Sequence, residues 1–282
     1  MKDSYYEGRV AVVTGAGGTL CSEIAVDLAQ KGARVVLVGR TREKLERTAQ
    51  RIAADGGAGW VYPCDVTDEA AVRAMAAEVA AQWGSCRFLV NGAGGNRIAA
   101  MTTIPAFDPA ELADDRPESL RGFFNLSMAD FAAVLQANTM GTVIPTQAFA
   151  QQMAADGGVV LNFASMNTYR PLSRVAPYAM SKAAVANLTQ WLAAYLAPAH
   201  IRVNAVAPGF MVNERSRQYL GTVEDGLTAR GERVIAHTPM GRFGQAADLL
   251  GAVSYLLDDR AAAFVTGITL PVDGGFLTQP GI

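Results

Sequence analysis

Seven short apolar runs, separated by helical patterns and turns, limit what this chain can fold into. They are "RVAVVT" (9–14), "ARVVLV" (33–38), "WVYPC" (60–64), "RFLVN" (87–91), "GVVLNF" (158–163), "IRVNAVA" (201–207) and "GITLPV" (267–272). Each is rich in β-branched residues and mostly free of polar alternation, the pattern of strands buried on both faces. Between them lie "SEIAVDLAQKG", "REKLERTAQRIAADGG" and "DEAAVRAMAAEVAAQWG", with apolar residues at three-to-four spacing; the first two close on glycine. This alternation predicts an α/β fold, a doubly wound parallel sheet with helices on both faces. No linker, repeat or low-complexity stretch interrupts the 282 residues, so a single domain is expected.

The totals narrow the function classes. A formal net charge of −2 leaves no electrostatic footprint for nucleic acid or an anionic membrane. No apolar run reaches the roughly 18 residues of a spanning helix. The start "MKDSYYEGRVAVVTG" lacks the basic opening and apolar core of a signal peptide. Cys21, Cys64 and Cys86 fall on different elements, without metal-like spacing, and read as reduced thiols of a cytoplasmic protein. His200 and His237 stand far apart, which speaks against a histidine metal site; no metal is expected.

"VVTGAGGTLCSEIA" (12–25) places Gly15, Gly17 and Gly18 between the first strand and the first helix. Glycines there permit tight backbone angles and bring a pyrophosphate close to amides at the helix start. The position at the first strand–helix junction makes this a Rossmann-like, dinucleotide-binding signal. The second strand ends "VLVGRTREK". Gly39 fills the slot where an acid would bond the ribose of NAD, and Arg40 follows, suited to a 2′-phosphate. NADP(H) is therefore preferred over NAD(H), with Arg42 and Lys44 read as a solvated helix start. Asp65, ending the third strand in "PCDVTD", is read as an adenine contact or a helix cap. "VNGAGGN" (90–96) supplies a second flexible turn beside the nicotinamide ribose.

Tyr178 and Lys182 stand at i and i+4 in "PYAMSKAAVANLTQWL", on one helix face. A free phenol has a pKa of about 10, and a nearby ammonium lowers it, so the pair suits general acid/base work. Alone, that spacing is most often structural. Ser165, in "NFASMNT", can hold a carbonyl oxygen beside the phenol. Asn138, in "QANTMGT", lies inside a helical run, where a poor helix former suggests a polar task.

Taken in order, "TGAGGTL", "CDVTD", "NGAGG", "NTMGT", Ser165, "YAMSK", "IRVNAVAPG" and "VDGGF" resemble the short-chain dehydrogenase/reductase family over nearly the whole chain. The resemblance implies a catalytic tetrad of Asn138, Ser165, Tyr178 and Lys182. Tyr178 would give a proton to the substrate oxygen while the nicotinamide gives hydride to its carbon. Ser165 would orient that oxygen, Lys182 would lower the phenol pKa and bond the nicotinamide ribose, and Asn138 would hold a relay water. It implies cofactor contacts at Gly15, Gly17, Gly18, Thr19, Leu20, Arg40, Asp65, Val66, Asn91, Ala93, Gly94, Tyr178, Lys182, Pro208, Gly209 and Met211. It also implies a homotetramer or homodimer joined through the helices near 129–155 and 175–197. Two family positions differ: Thr19 and Cys21 replace later glycines of the phosphate turn, and Asn213 replaces a threonine expected to meet the carboxamide.

Narrower features, "SMNTYRPLSRVAPYAMSK", "APGFMVNERSR" and "TPMGRFG", resemble a subgroup assigned to D-mannonate oxidoreductase, or fructuronate reductase. That implies a small-molecule substrate interconverted between keto sugar acid and hydroxy acid. Another carbonyl, polyol or sugar, a 3-oxoacyl substrate and a non-catalytic dinucleotide-binding regulator are the alternatives. Asn96, Asn167, Arg170, Arg174 and Arg215 are the substrate candidates; a guanidinium can clamp a carboxylate bidentately. The stretch from 96 to about 126 carries Pro105, Pro109 and Pro117 without sustained periodicity and is expected to form a lid over the carboxyl edge of the sheet.

Overall fold

The computed structural model describes residues 3–222 and 226–278, without the side chains of residues 214, 215 and 219. The strands are β1 (Val10–Thr14), β2 (Arg34–Gly39), β3 (Ala58–Pro63), β4 (Cys86–Asn91), β5 (Gly158–Phe163), β6 (Ile201–Pro208), β7 (Gly221–Thr222), β8 (Gly226–Leu227) and β9 (Thr269–Val272). The helices are α1 (Thr19–Gln30), α2 (Arg42–Ala54), α3 (Glu69–Trp83), α4 (Met128–Met153), α5 (Ala176–Leu196), α6 (Glu214–Leu220), α7 (Ala229–Ala236), α8 (Leu250–Leu257) and α9 (Asp259–Ala262). All seven expected strands form, with ends shifted by up to two residues; the third begins at Ala58.

Those seven make one sheet in the order β3-β2-β1-β4-β5-β6-β9, parallel throughout. β7 and β8 pair separately as a short antiparallel ladder. Strand order reverses between β1 and β4, which opens a crevice at their carboxyl ends. Register places Thr14 beside Asn91, and Asn91 beside Asn162, so polar side chains line up along that edge.

Helices cover both faces because β1 buries both faces. Val10 and Val12 pack in a cluster with Val72, Met75 and Phe149; Ala11 and Val13 pack in another with Ile24, Leu28 and Leu256. Each fully buried aliphatic side chain of this size stabilises by about 1.5–3 kcal/mol, largely offset by chain entropy. Among the described residues no helix is long and apolar enough to cross a membrane.

Candidate active site

The two glycine turns at the crevice are tied together by one threonine. Thr14 Oγ1 accepts from the backbone N–H groups of Gly92 and Ala93, each at 3.1 Å. Gly15 has φ 71°, and a Cβ there would stand 2.8 Å from the Gly92 carbonyl oxygen, so only glycine lets these turns meet. Thr48 donates to the Ala16 carbonyl at 3.0 Å and holds the first turn from α2. Gly18 caps α1 without a side-chain bond, which leaves the first-turn amides to an anion.

A cavity of ≈ 420 Å³ opens over these turns, lined by Gly15, Gly17, Gly18, Arg40, Asp65, Val66, Ala93, Gly94 and Asn96 among others. This cradle, glycine-floored and amide-rich, fits a dinucleotide. Thr19 and Leu20 begin α1 beside it, outside its lining. Asp65 does not cap α3; Asp68 does, accepting from Ala71 N at 3.0 Å. Asp65 Oδ1 instead accepts from the Thr67 backbone N–H (2.9 Å) and hydroxyl (2.8 Å). These bonds, with the Arg40 charge behind them, hold its carboxyl below the usual range against the effect of burial.

Lys44 also lines the cavity, whereas Arg42 pairs with Glu46 at 3.6 Å. From the sequence alone Lys44 is expected in a solvated helix start; in the fold it borders the cavity. A Cβ added at Gly17 would lie 2.7 Å from Lys44 Cβ, and this close approach carries α2 onto the phosphate turn. The glycine was the available signal.

Tyr178 and Lys182 share the first turns of α5. Lys182 is buried; its ammonium lies 5.6 Å from the Tyr178 ring centre and donates to the Phe163 carbonyl at 2.7 Å. Burial brings the Lys182 pKa down to about 8, with the neighbouring Cys21 opposing. Tyr178 behaves differently from the sequence expectation. Burial pushes its phenol above the ordinary value, and the countering pull comes from a hydrogen bond with Ser165. At neutral pH the phenol therefore carries its proton, the state needed to protonate a carbonyl oxygen.

Asn138, fully buried in α4, uses its amide to pin the second glycine turn. Oδ1 accepts from Gly95 N at 3.0 Å, and Nδ2 donates to the carbonyls of Gly95 and Val134, each at 2.8 Å. Both amide protons are thus committed within the protein. Asn91 donates to Thr146 Oγ1 (2.8 Å) and Asn162 Oδ1 (3.0 Å), joining α4 to the sheet below the crevice. Asn167 was expected to meet substrate hydroxyls. In the structure its Nδ2 donates to Ser165 Oγ and its Oδ1 accepts from Leu172 N. Asn213 caps α6 at Ser216 N, 2.9 Å away, and Nδ2 donates to the Met211 carbonyl.

Pro208 ends β6. Gly209 and Met211 line a second cavity of ≈ 240 Å³ with Asp273 and Gly274, separate from the first. Met211 is held there by a parallel bridge to Gly244.

Arg174 sits between Ser165 and α5 with φ 75°, a conformation uncommon for a non-glycine residue. Its carbonyl accepts from Thr102 N at 3.1 Å, which ties the 96–126 stretch to the loop between Ser165 and α5. Arg230, on α7, was not singled out from the sequence. Burial draws its guanidinium pKa down, and the charges of Arg174 and Arg233 act in the same direction. Neither Arg174 nor Arg230 pairs with a described carboxylate. Arg170 is exposed. The Arg215 side chain lies outside the described residues.

The family described as enoyl-(acyl carrier protein) reductase matches residues 15–277. An uncharacterised oxidoreductase UxuB of Bacillus subtilis is 36% identical over 276 residues, covering 98% of this chain and 97% of its own. A Haemophilus influenzae protein provisionally named D-mannonate oxidoreductase, solved with bound NAD, superposes with a TM-score of 0.92 at 36% identity, covering 100% of this chain and 98% of its own. An Agrobacterium tumefaciens protein provisionally named 2-deoxy-D-gluconate 3-dehydrogenase, solved with bound NADP, gives 0.79 at 32% identity, covering 98% and 100%.

Proposed function

The chain belongs to the short-chain dehydrogenase/reductase family and is an NAD(P)-dependent oxidoreductase of CH–OH and keto groups. On that premise we propose that it interconverts a keto sugar acid and its hydroxy acid, D-fructuronate and D-mannonate, with NADP(H) preferred. The bound nicotinamide supplies or accepts hydride at the substrate carbon. The residues of the chain do the rest. Tyr178 delivers the proton to the carbonyl oxygen, and Ser165 donates a hydrogen bond to that oxygen as charge develops on it. Lys182 keeps a positive charge beside the phenol and has donors left for a ribose hydroxyl. Asn138 holds the glycine turn on which the nicotinamide end would rest.

One observation supports an acid substrate: Arg174, in the loop before α5, and Arg230, on α7, act unfavourably on one another and have no described carboxylate partner. A carboxylate is the group that would relieve that repulsion and pair with both. The names of the Haemophilus and Agrobacterium relatives support the same class. Arg40 and Lys44 together over the adenosine end support a 2′-phosphate. The 96–126 segment, reaching from the cavity rim at Asn96 to Arg174, is read as the substrate lid. Trp191 and Tyr195 stack at 4.8 Å on α5 while 58% and 66% exposed, and we read that face as the contact of a homotetramer or homodimer.

The test is turnover followed at 340 nm with D-fructuronate and either NADPH or NADH. Fructuronate-dependent oxidation that is lost in Arg174→Ala and Arg230→Ala through a raised KM supports the reading. Turnover of neutral polyols with no response to these substitutions would sink it.

A further inference from the structure

Ser165 Oγ receives two hydrogen bonds from one neighbour. Asn167 donates its backbone N–H at 3.2 Å and its side-chain Nδ2 at 3.3 Å. The orientation of that amide is determined. Leu172 N donates to the other end, Asn167 Oδ1, at 3.0 Å. A backbone N–H requires an oxygen there, so the NH₂ end must face Ser165. Asn167 is only 6% exposed, and water has little access to exchange for either bond.

A serine hydroxyl has two lone pairs and one proton. With both lone pairs occupied, the one hydrogen bond left to Ser165 is one that it gives. The neighbouring group that such a bond would favour in its charged form is the Tyr178 phenol, whose pKa Ser165 pulls down.

We propose that Asn167 is a positioning residue that makes Ser165 an obligate hydrogen-bond donor, aimed at Tyr178 in the resting enzyme and at the substrate oxygen during turnover. This rests on the reading of Tyr178 and Ser165 as proton donor and oxyanion partner. Its consequence is directional. In reduction the Tyr178 O–H bond breaks as its proton forms the new O–H bond of the product, and Ser165 keeps its own proton throughout. The charge developing on the substrate oxygen meets a donor that has no other orientation to adopt. Without Asn167 the serine can turn and accept from Tyr178, which favours the neutral phenol and withdraws the serine proton from the substrate.

The experiment uses the full chain carrying Asn167→Ala or Asn167→Asp, each alone and combined with Ser165→Ala. Aspartate still accepts from Leu172 N but offers oxygen to Ser165 and draws its proton away. The readouts are kcat and KM for D-fructuronate reduction, and the Tyr178 titration by ultraviolet difference against Tyr178→Phe. Asn167→Ala is expected to lower kcat about three- to tenfold, and Asn167→Asp about 10²-fold, with the phenol titrating at higher pH in both. Neither change should lower kcat further once Ser165 is alanine. Equal losses in the Ser165→Ala background, or an unmoved titration, would overturn the proposal and leave Asn167 a mere loop brace. An active Tyr178→Phe enzyme would instead overturn the reading of the site. A shifted titration without fructuronate turnover supports the role of Asn167 and removes only the substrate assignment.

Discussion

Lys182 donates to the Phe163 carbonyl at 2.7 Å while its ammonium stands 5.6 Å from the centre of the Tyr178 ring. The strand end thus fixes the lysine, and the lysine approaches the tyrosine as a positioned charge. Because burial brings its pKa down to about 8, the ammonium is present below that pH and lost above it. On the proposed mechanism carbonyl reduction uses both the ammonium and the Tyr178 proton, so kcat/KM for reduction is expected to fall as pH rises through about 8. A pH–rate profile checks this; a flat profile from pH 7 to 9 contradicts it.

The same group bears on stability. Its folded value lies below the ordinary lysine value of 10.5, so the unfolded chain binds the proton more tightly between those limits. Lys182 therefore opposes folding below about pH 8, and the penalty fades as pH rises towards 10.5. The stability of the wild type relative to Lys182→Met, measured by urea unfolding, is expected to rise between pH 8 and 10.

Arg40 and Lys44 line the cavity over the glycine turns, at what the proposed reading makes its adenosine end. A charge-assisted hydrogen bond to phosphate contributes about 1.5–3 kcal/mol. Arg40→Ala should raise the KM for NADPH by roughly tenfold or more on that scale, and leave NADH within about twofold, with Lys44→Ala smaller in the same direction. Steady-state kinetics with both cofactors decide it, and equal losses for the two would remove the 2′-phosphate reading.

Cys21 occupies a family glycine position, and its thiol packs where a Gly92 side chain would be: a Cβ added at Gly92 falls 2.0 Å from Cys21 Sγ. Gly92→Ala is therefore expected to destabilise by about 1–3 kcal/mol through overpacking. Adding Cys21→Gly should recover most of the loss. Thermal unfolding of the two single variants and the double variant checks the coupling; strict additivity would show that the two sites do not meet.

Asn138→Ala removes the side-chain partner of both the N–H and the carbonyl of Gly95, while the Val134 carbonyl keeps its helical backbone donor. Leaving such groups unpaired costs about 1–3 kcal/mol each when no water replaces the amide. Loss of cofactor affinity by fluorescence titration is expected, because the Gly94–Gly95 turn loses its anchor. Unchanged affinity with reduced kcat would return Asn138 to the relay role.

Much of this protein could be read along the chain because the determining signals are local. Apolar runs fix which segments are strands, Gly15 and Gly17 mark the turn where backbone must approach closely, and the i, i+4 spacing puts Tyr178 and Lys182 on one face of α5. The direction of the Tyr178 shift was not local. Burial depends on everything packed around the phenol, and here desolvation outweighs the hydrogen bond from Ser165. Nor could spacing show which polar groups were already spent. Asn138 looks available in sequence, yet both of its amide protons and its oxygen are bonded to partners that the fold supplies, and Asn167 and Asn213 each commit their oxygen and one proton the same way. Arg230 lies far from Arg174 in the chain, and only the packing of α7 brings its charge within influence of the catalytic loop. Local signals along the chain set which segments become strands and helices and which chemical groups are on offer. Tertiary structure decided which of those groups remain free to act, because hydrogen-bond capacity and desolvation depend on neighbours that the linear order does not name.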